Sequence, residues 1–131
     1  MNSSKYLRII VPLVYMLLIF IGSSFPGNNL VMKGIFHYDK LLHLLEYSVF
    51  GVIISWAVIR NDHVNGIYRK IGLVLLIGWG YGILDEIHQS FVPARSMDIH
   101  DFAADAIGVI LGFGIYILLM NKLYPKAHDA S

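Results

Sequence analysis

Four long apolar runs separated by short polar stretches dominate the chain: Leu7 to about Phe25, Leu41 to Ile59, Ile71 to about Ile87, and Phe102 to Met120. Each approaches the roughly 20 residues a helix needs to cross about 30 Å of hydrocarbon. The pattern therefore predicts an all-α, four-helix transmembrane bundle forming one domain over residues 1–131. Between the runs lie Gly22 to Lys40, with Pro26-Gly27 and Asn28-Asn29 as turn chemistry, Arg60 to Lys70, with Asn65-Gly66, and His88 to Asp101 around Pro93.

Composition sharpens this reading. Of 131 residues, 56% are hydrophobic and 15% charged, with a mean hydropathy of +0.63. A water-soluble domain would carry about 25% charged residues, so the main solvent is lipid. Ten Lys+Arg against nine Asp+Glu leave a formal charge of +1 with no basic tract, which argues against nucleic acid as a partner. The absence of cysteine removes disulfides and thiolate metal sites. Lys5 and Arg8 before the first run and Gly22-Ser23-Ser24 after it resemble a signal peptide. No A-x-A-like site follows, and the expectation is that the run stays attached as the first span.

Charges are unevenly divided between the two sides of the proposed bundle. Lys5, Arg8, Arg60, Arg69, Lys70, Lys122 and Lys126 share one side with Asp62 and Asp129 only. Lys33, Lys40 and Arg95 share the other with Asp39, Glu46, Asp85, Glu86, Asp98, Asp101 and Asp105. The positive-inside rule then predicts cytoplasmic termini and an acidic outer face in a multi-pass cell-membrane protein. Acids contribute little to topology, so their clustering needs another explanation.

Ionisable groups in a span cost about 2.5–3.5 kcal/mol each on insertion scales, and here their spacing predicts convergence. Asp39, His43 and Glu46 sit at i, i+4 and i+7 on the second span, with Tyr47 next, within about a third of the helix circumference. Asp85 and Gln89 share a face with Gly78 and Gly82, and Glu86 is adjacent in sequence to Asp85. Asp98, Asp101 and Asp105 run into Gly108 and Gly112, with Asp98 at or before the helix start. The small-xxx-small pairs mark faces turned toward neighbouring helices, which directs the carboxylates into the bundle. Arg95, in the Phe91–Asp98 loop, is the expected counter-charge for Asp85 and Asp101, with Lys40 second because it can snorkel. The candidate pocket, formed by the second, third and fourth helices, thus comprises Asp39, Lys40, His43, Glu46, Tyr47, Asp85, Glu86, Gln89, Arg95, Asp98, Asp101 and Asp105.

The stretches Ser23-Ser24-Phe25-Pro26-Gly27, Asp39-Lys40-Leu41-Leu42-His43-x-x-Glu46-Tyr47, Asp85-Glu86-x-x-Gln89-x-Phe91-x-Pro93-x-Arg95-x-x-Asp98 and Asp101-x-x-x-Asp105-x-x-Gly108-x-x-x-Gly112 occur in order along nearly the whole chain. Together they resemble the VanZ-like family of small bacterial membrane proteins. The chain departs from the family pattern at Asp105-Ala106, where Asn-Thr is frequent, and at Ala94, where Gly is frequent. The resemblance implies an envelope protein of a family named for low-level resistance to the glycopeptide teicoplanin, most of whose members have no assigned biochemical activity.

Three function classes are compatible with these residues. A binding protein would use the acidic outer pocket to take a cationic or amine-bearing group of a lipid-linked envelope precursor or a glycopeptide. A hydrolase or transferase would use Asp85, Glu86, Asp101, Asp105 and His43 as acid/base groups or as ligands of a divalent cation. No D-x-[DN]-x-[DN]-G loop, H-E-x-x-H pair or G-x-S-x-G elbow accompanies them. A structural bundle would use the same charges as salt bridges and partner another membrane protein. Transport finds no support, because no inverted repeat or polar path reaches the other half of the spans, although an oligomer could build one. His37, His63 and His128 read as solvated, His88 and His100 flank the outer motif, and Trp56, Trp79, Tyr68, Tyr116 and Tyr124 read as interfacial or packing groups. Ser23 and Ser24 read as turn or cap residues. The preferred reading is the binding protein, with membrane lipid as its surroundings.

Overall fold

The computed structural model describes residues 3–26, 38–61 and 63–124. Four helices, α1 (Ser3–Ser23), α2 (Asp39–Ile59), α3 (Ile67–Gln89) and α4 (Ile99–Leu123), make up the architecture, and no strand occurs among the described residues. All four are long and apolar enough to cross a membrane. The Gly27, Asn28-Asn29, Lys33 and His37 positions, Asp62, and Lys126, His128 and Asp129 lie outside the described residues.

Two of the helices, α3 and α4, extend two to four residues past each end of their apolar runs, and α2 begins two residues before its run. The hydrocarbon criterion sees only the lipid-facing part of a helix, whereas hydrogen bonding continues into the polar boundary. The first helix instead stops at Ser23, short of Phe25. There the Ser23 and Ser24 hydroxyls both donate to the Phe20 carbonyl, at 3.2 and 2.6 Å, so local side-chain bonds compete with continuation of the helix. At the opposite end of the bundle Gly66, with φ +87°, precedes α3 in a left-handed conformation that glycine adopts without steric cost. Lys70 Nζ, 2.6 Å from the Ile59 carbonyl, satisfies the C-terminus of α2, and Arg8 donates to the Arg60 carbonyl.

Lipid tails are as apolar as leucine, so helix association in a membrane relies on close packing. Glycine supplies it here, most of all between α2 and α4. A Cβ at Gly108 would stand 2.7 Å from the Leu44 carbonyl oxygen, and one at Gly112 would run into the Ser48 carbonyl and the Gly51 backbone. Gly51 on α2 reciprocates, with the Val109 carbonyl 2.6 Å from its Cβ direction. Gly78 and Gly82 seat α3 against Val109, Phe102 and Asp105 of α4. Ile19, Tyr47, Phe50, Ile54, Val74 and Val109 fill the apolar core, and the Tyr15 and Tyr81 rings stack on or edge toward Phe50. Trp79 lies in mid-helix, and its indole N–H donates to the Ala106 carbonyl at 3.3 Å. Tyr116 is buried while Tyr68 is almost fully exposed.

Candidate functional site

The C-termini of α1 and α3 and the N-termini of α2 and α4 meet at one end of the bundle, and the polar residues gather there. α4 begins at Asp98, whose side chain accepts the His100 backbone N–H at 2.8 Å as a helix N-cap. That places Asp101 and Asp105 on successive turns inside the helix. On α2 the i, i+4, i+8 spacing stacks Asp39, His43 and Tyr47 along one face, with His43 and Tyr47 buried. On α3 Asp85, Glu86 and Gln89 are all buried at the last two turns.

The α3–α4 connection turns sharply at Val92-Pro93-Ala94-Arg95, closed by Arg95 N donating to the Val92 carbonyl at 3.1 Å. Ala94 has φ +60°, so the segment is a type II turn with Pro93 at its first central position and an alanine where glycine is favoured. The turn carries Arg95 back over α2, where Nη2 lies 3.4 Å from Asp39 Oδ1. Lys40, in the first turn of α2, reaches across to α4 and donates to Asp98 Oδ2 at 3.1 Å and Asp101 Oδ1 at 2.9 Å. Lys40, the second choice of counter-charge in the sequence, thus pairs with Asp101, while Arg95, the first choice, stands beside Asp39 and lines one cavity with Asp85. The cause is placement, since Lys40 stands beside the α4 N-terminus and the Pro93-Ala94 turn aims Arg95 at Asp39. The Asp98 carboxyl is held well below the usual carboxylate range, by the hydrogen bonds from the His100 backbone and ring and then by Lys40.

Deeper in the bundle His43 Nδ1 lies 2.8 Å from Asp105 Oδ1, while its Nε2 faces Asp39 Oδ1 at 3.9 Å. Gln89 Nε2 donates to Asp85 Oδ2 at 2.8 Å, and the Asp98 backbone N–H donates to Glu86 Oε2 at 2.8 Å. Three buried oxygens lack any hydrogen-bond partner among the described residues: Glu86 Oε1, Asp105 Oδ2 and the Tyr47 hydroxyl.

A cavity of about 390 Å³ opens beside this network, lined by Asp39, His43, Glu46, Asp85, Gln89 and Arg95 with Leu42 and Leu45. Its remaining wall is α1, through Tyr15, Gly22 and Ser23. The spacing of polar residues points to the second, third and fourth helices only, so α1 is an additional wall. Glu46 Oε1 faces α1, 3.9 Å from where a Cβ at Gly22 would stand, and the Tyr15 hydroxyl donates to the Glu46 carbonyl at 3.0 Å. The signal for α1 is faint in sequence because its contribution is a glycine, a serine and one phenol in an otherwise apolar helix. Tyr47, Glu86, Asp98, Asp101, Asp105 and Lys40 do not line the cavity; they stand behind or beside it. Of the two flanking histidines, His88 Nε2 meets Ser24 Oγ of α1 at 3.0 Å with its ring on Phe20, and exposed His100 joins Asp98 at 2.9 Å.

Chemically, the arrangement offers an open acidic pocket with one guanidinium at its wall, and a buried imidazole–carboxylate pair next to it. Comparison with curated proteins and with solved structures finds no significant match to this chain. The family model described as VanZ/LLP1 matches residues 8–120, which includes all four helices' polar ends and both glycine pairs. This multi-pass membrane protein belongs to the VanZ/LLP1 family.

Proposed function

We propose that the protein binds an amine-bearing group of a lipid-linked or other cell-envelope ligand in this pocket, on the extracytoplasmic face of the cell membrane. The observation that supports the reading is the makeup of the cavity of about 390 Å³: Asp39, Glu46 and Asp85 against one arginine, Arg95, which is already beside Asp39. Such a lining leaves an excess of acceptor oxygens for an ammonium group, and Leu42 and Leu45 give an apolar flank to a lipid-anchored molecule. The excess of Lys and Arg at the opposite end of the helices supports an outward-facing pocket. Lipid-linked wall precursors and teicoplanin-type glycopeptides are met on that face, and a role in glycopeptide resistance belongs to the same reading.

The test is thermal stability of the detergent-purified protein with a lipid-linked wall precursor bearing a free amine, its N-acetylated counterpart, and teicoplanin. A ligand that binds the native state alone raises the melting temperature. The expected result is a rise with the free amine and none with the acetylated form, reduced in Glu46→Gln and Asp85→Asn. Equal rises for both forms, or none for any ligand, would overturn the reading.

A further inference from the structure

Behind the pocket, a set of groups that shares only His43 with its lining has needs that the described residues do not meet. His43 of α2, Glu86 of α3 and Asp105 of α4 each present one nitrogen or oxygen within 4.8 Å of the other two, and all three residues are buried. Glu86 is 2% and Asp105 0% exposed, yet Glu86 Oε1 and Asp105 Oδ2 have no donor among the described residues. Gly82 keeps room at this point: a Cβ there would stand 3.4 Å from Asp105 Oδ2. The hydroxyl of Tyr47, one turn beyond His43 on α2, is a third unpartnered oxygen in the same region, within electrostatic reach of Asp105.

In their ionised forms, two buried carboxylates with vacant lone pairs facing one imidazole leave a deficit of positive charge. A divalent cation removes that deficit, since it neutralises both carboxylates while the imidazole ligates in its neutral form. Bonds of about 2.0–2.2 Å from nitrogen and oxygen put ligand atoms up to about 4.4 Å apart across such an ion, so atoms that all lie within 4.8 Å of one another reach a common ion with small side-chain adjustments. Mixed nitrogen and oxygen donors without thiolate suit Zn²⁺ or Mn²⁺, whereas Ca²⁺ and Mg²⁺ favour oxygen alone.

We propose that His43, Glu86 and Asp105 form a buried site for one first-row divalent metal ion, Zn²⁺ or Mn²⁺. A second trio, Asp39, His43 and Asp101, is also close enough to hold an ion. Its carboxylates, however, are already engaged by Arg95 and Lys40, so the buried trio takes precedence. With the ion on one ring nitrogen, Asp39 is placed to orient His43 from outside, as carboxylates do for metal-bound histidines. The site does not depend on what the neighbouring pocket binds.

The experiment is an Mn²⁺ titration of the chelator-stripped, detergent-purified full chain, with no envelope ligand present, followed by electron paramagnetic resonance. The expected result is one bound ion per chain, a single imidazole nitrogen coupling in the pulsed spectrum, and displacement by Zn²⁺. Asp105→Asn and Glu86→Gln, which each remove a direct ligand charge, are expected to weaken binding at least a hundredfold, and Asp39→Asn, which only loosens His43 from outside, about tenfold. Wild-type protein of full helicity that leaves Mn²⁺ free and gains no thermal stability from Zn²⁺ would overturn the proposal without recourse to any variant. Loss of the ion in Asp39→Asn but not in Glu86→Gln would overturn it in favour of the outer trio.

Discussion

His43 and Asp105 lie 2.8 Å apart although 62 residues separate them in the chain, and both are buried. The contact exists because α2 and α4 approach to backbone distance at Gly51, Gly108 and Gly112, one and two turns below it. Close packing by residues without side chains thus sets the position of the most polar groups in the bundle. The cations at the boundary then tie the same helices together, Lys40 to Asp98 and Asp101, and Arg95 to Asp39.

The glycine seam makes a steric claim that one methyl group can check. Gly112→Ala drives its Cβ into the Ser48 carbonyl and the Gly51 backbone, neither of which can rotate away. Overpacking of this kind costs about 1–3 kcal/mol. Gly114→Ala, with nothing within 4 Å of its Cβ, is the matched control. Thermal unfolding in detergent is expected to show a clear drop for the first and little change for the second; equal effects would deny the seam.

Ala94 occupies a conformation, φ +60°, that costs an L-residue about 1–2 kcal/mol. Replacing it with glycine removes that strain and adds some entropy cost to folding. The expected net gain for Ala94→Gly is about 0.5–1 kcal/mol, read as a higher unfolding midpoint. A fall in stability would mean that the Val92–Arg95 turn is not type II.

Asp98 gives the acid limb of the stability curve. Its carboxyl titrates below the unfolded value, through His100 first and Lys40 after it, with Asp101 sharing Lys40 and the Asp98 amide bound to Glu86. A lowered folded-state value means that the stabilisation is fully present above the unfolded value of about 3.9 and is lost as pH falls through the lower folded value. Wild type is therefore expected to melt higher than Asp98→Asn at neutral pH, the difference shrinking under acid conditions. A gap independent of pH would assign the effect to the uncharged cap alone.

Topology is accessible because the sequence has no cysteine, so an introduced one is the sole thiol. Ser96→Cys, in the α3–α4 loop, is expected to react with an impermeant maleimide in intact cells, and Asn65→Cys, between α2 and α3, only after permeabilisation. The reverse pattern would put the pocket on the cytoplasmic side.

Hydropathy marks the four spans directly because lipid admits few alternatives to a helix. The i, i+4, i+7 pattern of Asp39, His43 and Glu46 likewise shows that these groups share a face, since helical geometry alone determines it. Partner choice is another matter. Lys40 and Arg95 are both long cations near the same acids, and only the direction of the Pro93-Ala94 turn distinguishes their targets. Gly51 is less conspicuous than Gly78-x-x-x-Gly82 or Gly108-x-x-x-Gly112 because the small residue four positions on is Ser55 and not a second glycine. The α1 wall was hidden for a related reason: Gly22 contributes space, which leaves no chemical mark in a sequence.

That space offers the most direct measurement. Gly22 lines the cavity and its Cβ direction points toward Glu46 Oε1 with room to spare, so Gly22→Leu fills the pocket without altering any charge. Binding of a free-amine lipid-linked wall precursor would be measured by native mass spectrometry, wild type beside Gly22→Leu, with helicity and melting temperature confirmed for both. The account requires binding by wild type and at least a tenfold loss, about 1.4 kcal/mol, in the filled variant. Equal binding by both proteins, or none by wild type, would contradict it.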